Sequence, residues 1–355
     1  MGRMKDSLRA QFFVLLTSVV GVVWSTTVHA DSQPEPKKDA LVELGKVLFN
    51  SPSLSRDGKI ACASCHTPKQ AYADSRPVGI GVDGKKGTRN APSLVGIADD
   101  TTFFWDGRRT QLNEVVLDPI TNPVELGWPT TDVLLEKLRS DPAFVKRFEE
   151  VFPKARDPLS LPNLANALSA FVSSLRTGSS AFDQAGAQQK PISSRTELGR
   201  KLFAGVAHCN ECHRIDGAEV RFTDNLFHHS GIGDVTQSRN LPQLSQAVVD
   251  HNLDAKALGP KVLTDSEWSA LGRFAVSHQP SDIGAFRTPS LRNVAVTAPY
   301  MHDGSIETLR QAVDHEIYYR GFSRHRPINL SVAEREAIVA FLETLTDAEY
   351  QVRSK

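Results

Sequence analysis

The sequence predicts a mainly α-helical protein assembled from two related halves in tandem. Three observations lead there. One short motif occurs twice, "CASCH" at 62–66 and "CNECH" at 209–213, and each copy follows the same apolar segment, "ELGKVLF" at 43–49 and "ELGRKLF" at 197–203. Downstream, "APSLVGIADDTTFFWDG" at 91–107 aligns without a gap on "TPSLRNVAVTAPYMHDG" at 288–304, which sets Trp105 opposite His302. Strand signals are scarce, and each half closes on a similar segment, "LSAFVSSL" at 168–175 and "IVAFLETL" at 338–345, with Leu and Phe at helical spacing.

In chain order, Arg3, Lys5 and Arg9 precede an apolar run at 12–24 that is short for a bilayer span, and Val28 and Ala30 place small residues before Asp31. Residues 1–30 are therefore expected to be a secretory signal cleaved after Ala30, followed by the polar leader "DSQPEPKKDA". No other stretch is apolar enough to span a membrane. The first half is expected over 31–180 and the second over 195–355. They are joined through the Gly-, Ser-, Gln- and Ala-rich stretch "TGSSAFDQAGAQQKPISS" at 177–194, with the linker itself at 181–194. At 355 residues there is room for two cores. Lys+Arg and Asp+Glu are both 41, so no basic excess points to nucleic acid and no acidic tail is present.

The four cysteines, Cys62, Cys65, Cys209 and Cys212, all lie in the two motifs. An exported chain with no other cysteine has no disulfide framework to build. Zinc would need more Cys or His ligands at close spacing, and a thioredoxin-like pair would need neither the adjacent His nor a second copy. Covalent haem c uses every residue of the pattern: two thiols bond the porphyrin and the neighbouring His, here His66 and His213, ligates iron. Two haem c groups are expected.

These motifs, with "RNAPSL", "FFWDGR", "DPITNPVELG" and "RTPSLRNVAVTAPYMHDGS" in the same order, resemble the bacterial dihaem cytochrome c peroxidase and MauG superfamily over nearly all of the chain after residue 30. The resemblance implies two tandem class-I cytochrome c-like haem domains related by internal duplication, in the periplasm. It further implies that the first haem meets hydrogen peroxide while the second passes electrons to it. Trp105 resembles the tryptophan that lies between the haems, its plain alternative being core packing. Glu125 resembles the distal glutamate that handles protons, its plain alternative being a solvated loop carboxylate. A calcium ion between the domains is implied as well, held by Asn90, Thr297 and Pro299 through oxygens suited to a hard cation.

Two departures from the peroxidase pattern matter. Many relatives carry a His in the loop before "NAP" that caps the resting first haem; here "VGIGVDGKKGTRNAP" holds none, and the expected position falls near Val82. An open site at rest is expected. The sixth ligand of the second haem, Met in the peroxidases and Tyr in MauG, falls by count on Glu316, which leaves Glu316, Tyr318 and Tyr319 as candidates, with His315 behind them. Met301 is read as packing. Val115 stands where relatives carry Gln. His228 and His229 are read as surface or hydrogen-bonded residues near the second haem, and Arg287 and Arg292, with Arg108 and Arg109, as partners for propionates.

The first functional expectation is a peroxidase reducing hydrogen peroxide with electrons from a small cytochrome c or cupredoxin. The second is a MauG-like enzyme that uses peroxide to oxidise side chains of a protein substrate. The third is a dihaem electron carrier without chemistry of its own. The resemblance also admits a homodimer; nucleic acid and a membrane span after signal cleavage are not expected.

Overall fold

Leu44, Gly45, Leu48 and Phe49 lie buried on one face of the helix Lys38–Phe49, which packs along the helix Leu161–Ser174 through Ala167, Leu168 and Phe171. The contact is close because position 45 has no side chain: a Cβ there would collide with the Ala167 carbonyl oxygen. The second half repeats the arrangement. The helix Ser194–Ala204 packs on Val332–Glu343, and a Cβ at Gly199 would collide with the Ala337 carbonyl oxygen. Gly45 and Gly199 occupy the same place in "ELGKVLF" and "ELGRKLF".

This computed structural model describes residues 37–188, 192–216, 220–233 and 240–351; the expected signal, residues 1–30, lies outside them. Within the described residues the architecture is mainly helical, with one small antiparallel sheet in which Phe227–His229 pairs with Ala285–Arg287. No described helix is long and apolar enough to cross a membrane.

Three apolar clusters organise the described residues. One is built on Leu48, Leu54, Leu134, Phe148 and Leu168, and a second on Phe203, Phe222, Ile338 and Phe341. The third was not anticipated from sequence. It belongs to the helices Leu241–His251, Ala255–Thr264, Ser266–Ala270 and Phe274–Ser277, which bury Val248, Leu258, Val262, Trp268 and Leu271 among themselves. This group reaches back onto the first half: Thr88 Oγ1 donates to the Val262 carbonyl at 2.6 Å, and Arg273 donates to the carbonyls of Asp106 and Gly107.

The stretch expected as a linker at 181–194 is in part a helix, Ala181–Gln188. Phe182 packs edge-on against Phe222 at 5.1 Å, and the Asp347 carboxylate accepts hydrogen bonds from Thr177, Gly178 and Ser179 just before it. Phe182, the Asp347 carboxylate and the ion pair of Asp183 with Arg292 at 2.7 Å anchor it, and local composition reports none of them.

The two aligned segments share their backbone conformation. Phe103 N–H donates to the Arg109 carbonyl at 2.8 Å and Tyr300 N–H to the Ile306 carbonyl at 2.7 Å, closing equivalent turns. Within them Phe104 and Met301 have φ of 65° and 74°, and Gly107 and Gly304 of 68° and 66°. The segments also join each other reciprocally: Asn90 N–H donates to the His302 carbonyl and Arg287 N–H to the Trp105 carbonyl, both at 2.8 Å. Trp105 is thereby fixed at the boundary between the halves.

Candidate functional site

Each CxxCH segment forms a short 3-10 turn, Cys62–Ser64 and Cys209–Glu211, and each faces a cavity. The first cavity holds about 1420 Å³ and the second about 1670 Å³, counting their open mouths. Cys62, Cys65 and His66 line the first; Cys209, Cys212 and His213 line the second. No disulfide occurs among the described cysteines. Burial in apolar walls pushes the thiols of Cys62 and Cys209 up to about 12.

The histidines are set for metal ligation. His66 Nδ1–H donates to the Tyr72 carbonyl and His213 Nδ1–H to the Phe222 carbonyl, both at 2.9 Å. A carbonyl only accepts, so Nδ1 carries the proton and Nε2 keeps its lone pair for a metal. Tyr72 and Phe222 have φ of 58° and 55°, a left-handed backbone that costs a bulky residue about 1–2 kcal/mol. That cost, incurred twice at equivalent points, aims the two carbonyls at the imidazoles. Burial lowers the proton affinity of both rings, that of His213 to about 4, which favours the neutral ligating form. Cavity, paired thiols and oriented imidazole together fit a covalently attached haem in each half.

Glu125 lies in the wall of the first cavity with His66, Trp105 and Arg108. Burial raises its carboxyl to about 7, with Arg108 opposing and Asp118 adding to the rise. The adjoining loop contributes Gly79, Gly81 and Gly87 to that wall. Val82 points elsewhere: it is fully buried, and a Cβ on Gly127 would strike its methyl group. Val115 also borders this cavity, as does Leu263 of the third helical group.

Trp105 borders both cavities, and its Nε1–H donates to the Asn90 carbonyl at 2.9 Å. Arg287 likewise touches both, while its guanidinium is paired with buried Asp100 at 2.8 Å. The other arginines expected to meet propionates also have carboxylate partners: Arg292 with Asp183, Arg108 with Asp106 and Arg109 with Asp118. Arg108 keeps one buried Nε–H without a partner beside the first cavity.

Of the residues proposed to face the second iron, Glu316 lines the second cavity, its carboxyl raised by burial and opposed by Arg320, whose Nε lies 3.4 Å away. Tyr318 is 72% exposed on the outer side of the helix Leu309–Ser323, which also carries Glu316. Tyr319 packs on Gly231 parallel to His315, and His315 Nε2–H donates to the Ser230 carbonyl. Met301 is part of the cavity wall, next to His302, whose ring stacks on Phe286 at 3.6 Å. Asn90, Thr297 and Pro299 all border the second cavity. Asn90 Nδ2 donates to the carbonyls of Arg76 and Pro77, which leaves its Oδ1 to accept or ligate.

His228 bonds Asp224 at 2.7 Å, and with the Cys212 thiol these groups lie within 4.8 Å of one another. Contact with that thiol and with Asp224 raises His228 to about 9. His229 bonds the Ile283 carbonyl. Sequence reasoning missed Arg320, Asp224, Leu263 and the Tyr72 and Phe222 carbonyls. Only the spacing of Arg320 from Glu316, one helical turn, carried a signal.

A family model described as di-haem cytochrome c peroxidase matches residues 39–191. The methylamine utilization protein MauG of Methylorubrum extorquens is 31% identical over 89% of this chain and 82% of that protein. The cytochrome c551 peroxidase of Pseudomonas aeruginosa is 31% identical over 90% of this chain and 82% of the relative. Among solved structures, a MauG-like protein associated with microbial copper homeostasis superposes with a TM-score of 0.71 at 26% identity, covering 92% of this chain and 98% of that one. The diheme peroxidase BthA of Burkholderia thailandensis gives 0.69 at 25% identity over 89% and 88%. Each cavity is faced by the paired thiols and oriented imidazole that a covalently held haem requires, and the chain belongs to the dihaem cytochrome c peroxidase and MauG superfamily.

Proposed function

We propose that this chain is a periplasmic dihaem c-type peroxidase that reduces hydrogen peroxide at the first cavity with electrons relayed from the second. The observation that carries the reading is Trp105, which borders both cavities while Glu125, a carboxyl raised to about 7, borders only the first. The two halves, 31–180 and 195–355, are read as products of internal duplication. Their matched glycine contacts, turns and left-handed residues support this. Export rests on the signal read at 1–30.

Haem, bound through Cys62, Cys65 and His66, would supply the iron that takes up peroxide and the electrons that cleave its O–O bond. The chain's own residues handle protons and access. Glu125 as carboxylate takes a proton from peroxide and returns it to the departing oxygen, so that H₂O₂ with two electrons and two protons leaves as two waters. A carboxyl near 7 has both forms available at neutral pH, as a shuttle requires. The Gly79–Gly81–Gly87 wall presents no imidazole to compete with peroxide, which supports a site open at rest. A pure electron carrier would have no use for that opening or for Glu125. Trp105 keeps its Nε1 proton on the Asn90 carbonyl and bridges the cavities as the electron relay. Asn90 Oδ1 with the Thr297 and Pro299 carbonyls would hold calcium beside it.

A MauG-like second reading, oxidation of a protein substrate with peroxide, is favoured by Glu316. An oxygen ligand in place of Met would stabilise the higher oxidation states of the second haem. Low-temperature electron paramagnetic resonance before and after stoichiometric peroxide tests both. A high-spin signal lost with peroxide supports the open site, and two low-spin signals that peroxide leaves unmoved would overturn it. A near-infrared band that then joins the two haems would move the MauG-like reading ahead.

A further inference from the structure

We propose that the outer face of the helix Leu309–Ser323, with the segment that follows it, is the docking surface for the protein that exchanges electrons with the second haem. The partner is a small copper or haem protein with carboxylates around an apolar patch. The inference rests on the two-haem reading above and adds to it the place and chemistry of the contact.

Tyr318 and Phe322 are 72% and 65% exposed and stack on each other with centroids 6.4 Å apart. Large aromatic side chains presented together to solvent are the usual anchors of protein interfaces, as is Arg. The same helix turns Glu316 and Arg320 inward to the second cavity. The aromatic pair therefore stands about one helix diameter, roughly 10 Å, from the haem site. Beyond the helix, Arg324 pairs with Glu211, which lies inside the Cys209–Cys212 attachment turn. The patch is thus tied at one end to the wall of the cavity and at the other to the segment that bonds the haem.

Its charge selects the partner. Between 317 and 333 the sequence has no Asp or Glu, and of its three arginines Arg320 turns to the cavity while Arg324 and Arg326 are exposed. The carboxylates that face them from elsewhere are Glu211 on Arg324 and, one turn earlier in the helix, Glu316 on Arg320. Arg326 and His325 are exposed beside Phe322. Exposed ion pairs such as Arg324–Glu211 are worth about 0–1 kcal/mol, so a partner carboxylate can share that guanidinium. A partner with a basic rim would be repelled by the same groups. Productive contact moves one electron: the partner's reduced centre is oxidised by one equivalent and the second haem is reduced by one.

The test is stopped-flow oxidation of the fully reduced holoenzyme, run as the reverse half-reaction. Four oxidants serve as probes: an acidic plastocyanin, a basic mitochondrial cytochrome c, hexacyanoferrate(III) and tris(phenanthroline)cobalt(III). Plastocyanin should react fastest of the two proteins, and its rate should fall steeply between about 20 and about 200 mM salt. Arg326→Glu should slow plastocyanin about tenfold and flatten that salt dependence. Phe322→Ser should slow plastocyanin while leaving hexacyanoferrate(III) unchanged. The proposal is overturned if both variants leave the plastocyanin rate unchanged, or if cytochrome c is the faster, salt-sensitive probe. It is overturned equally if Phe322→Ser only converts a dimer to monomers, since the face is then a contact between copies. Peroxide consumption by the reduced enzyme without added donor reports separately on the peroxidase reading, and neither variant should alter it.

Discussion

The backbone N–H of Val82 donates to the carbonyl oxygen of Glu125 at 2.9 Å. The loop that lacks the expected histidine is therefore the strap that holds the candidate proton shuttle. Its hold is tight: a Cβ on Gly81 would collide with the Val124 carbonyl oxygen, and Arg56 N–H donates to the Leu126 carbonyl from the other side. Glu125 is fixed through its backbone while its carboxyl faces the cavity. Since Val82 points into the protein, a ligand is missing here both by residue type and by direction.

Glu125 should impose a pH profile. In the proposed role its carboxylate form accepts the peroxide proton, so kcat/KM should rise with pH and level off above about 7. Glu125→Gln should lower the rate by about 10²–10⁴-fold and remove the inflection. Stability should move the opposite way. Burial raises the folded-state carboxyl above its ordinary value of 4.5, so the wild type loses stability as pH rises from there through about 7. Thermal melts at pH 5 and pH 8 should show the Gln variant gaining on wild type only at the higher pH.

Gly81→Ala tests the strap without touching the carboxyl. The added methyl must displace the Val124–Glu125 backbone, at a cost of about 1–3 kcal/mol. Haem content measured by absorbance should be kept, since Cys62, Cys65 and His66 are set by their own turn and by the Tyr72 carbonyl. The peroxide rate should fall.

Trp105→Phe should separate the two haems in function. A smaller aromatic ring stays at the boundary, and the lost Nε1–H bond to the Asn90 carbonyl costs about 1 kcal/mol beyond the lost packing. Rapid mixing should show the first haem of the reduced variant reacting with peroxide at the wild-type rate while oxidation of the second haem lags. Equal rates at both haems in the variant would mean that electrons cross elsewhere, for instance past Arg287, which borders the same two cavities.

The parts of the site legible in the sequence are those carried by contiguous residues. Cys62, Cys65 and His66 announce themselves because thioether bonds and iron ligation need a fixed local spacing. The recurring helix pair is legible because Gly45 and Gly199 sit at one place in a repeated apolar segment. Glu125 and Trp105 are legible only through family resemblance, since a loop carboxylate and an indole carry no local mark of their surroundings. What sequence could not show is joined across long separations. The carbonyls of Tyr72 and Phe222 act through backbone conformation, which no residue type there signals. The helices between 241 and 277 read as an ordinary stretch of the second half, yet Leu263 and the Val262 carbonyl complete the first.

Asp106 shows how far such a distant contact reaches into the chemistry. It is fully buried and binds two guanidinia, Arg89 at 2.6 Å and Arg108 at 3.0 Å, while Arg89 also donates to Ser269 of the third helical group. Asp106→Asn removes the only negative charge of this trio and should cost about 3–5 kcal/mol, the usual penalty for stranding buried charge. It should also act on Glu125, the proposed proton shuttle. Arg108 already lowers the proton affinity of Glu125. With the compensating carboxylate gone its field at Glu125 grows, so the inflection in kcat/KM should move below 7. A purely structural role for Asp106 would lower stability and leave the inflection in place; a downward shift in the variant's pH profile, measured at a temperature where it stays folded, identifies the electrostatic link.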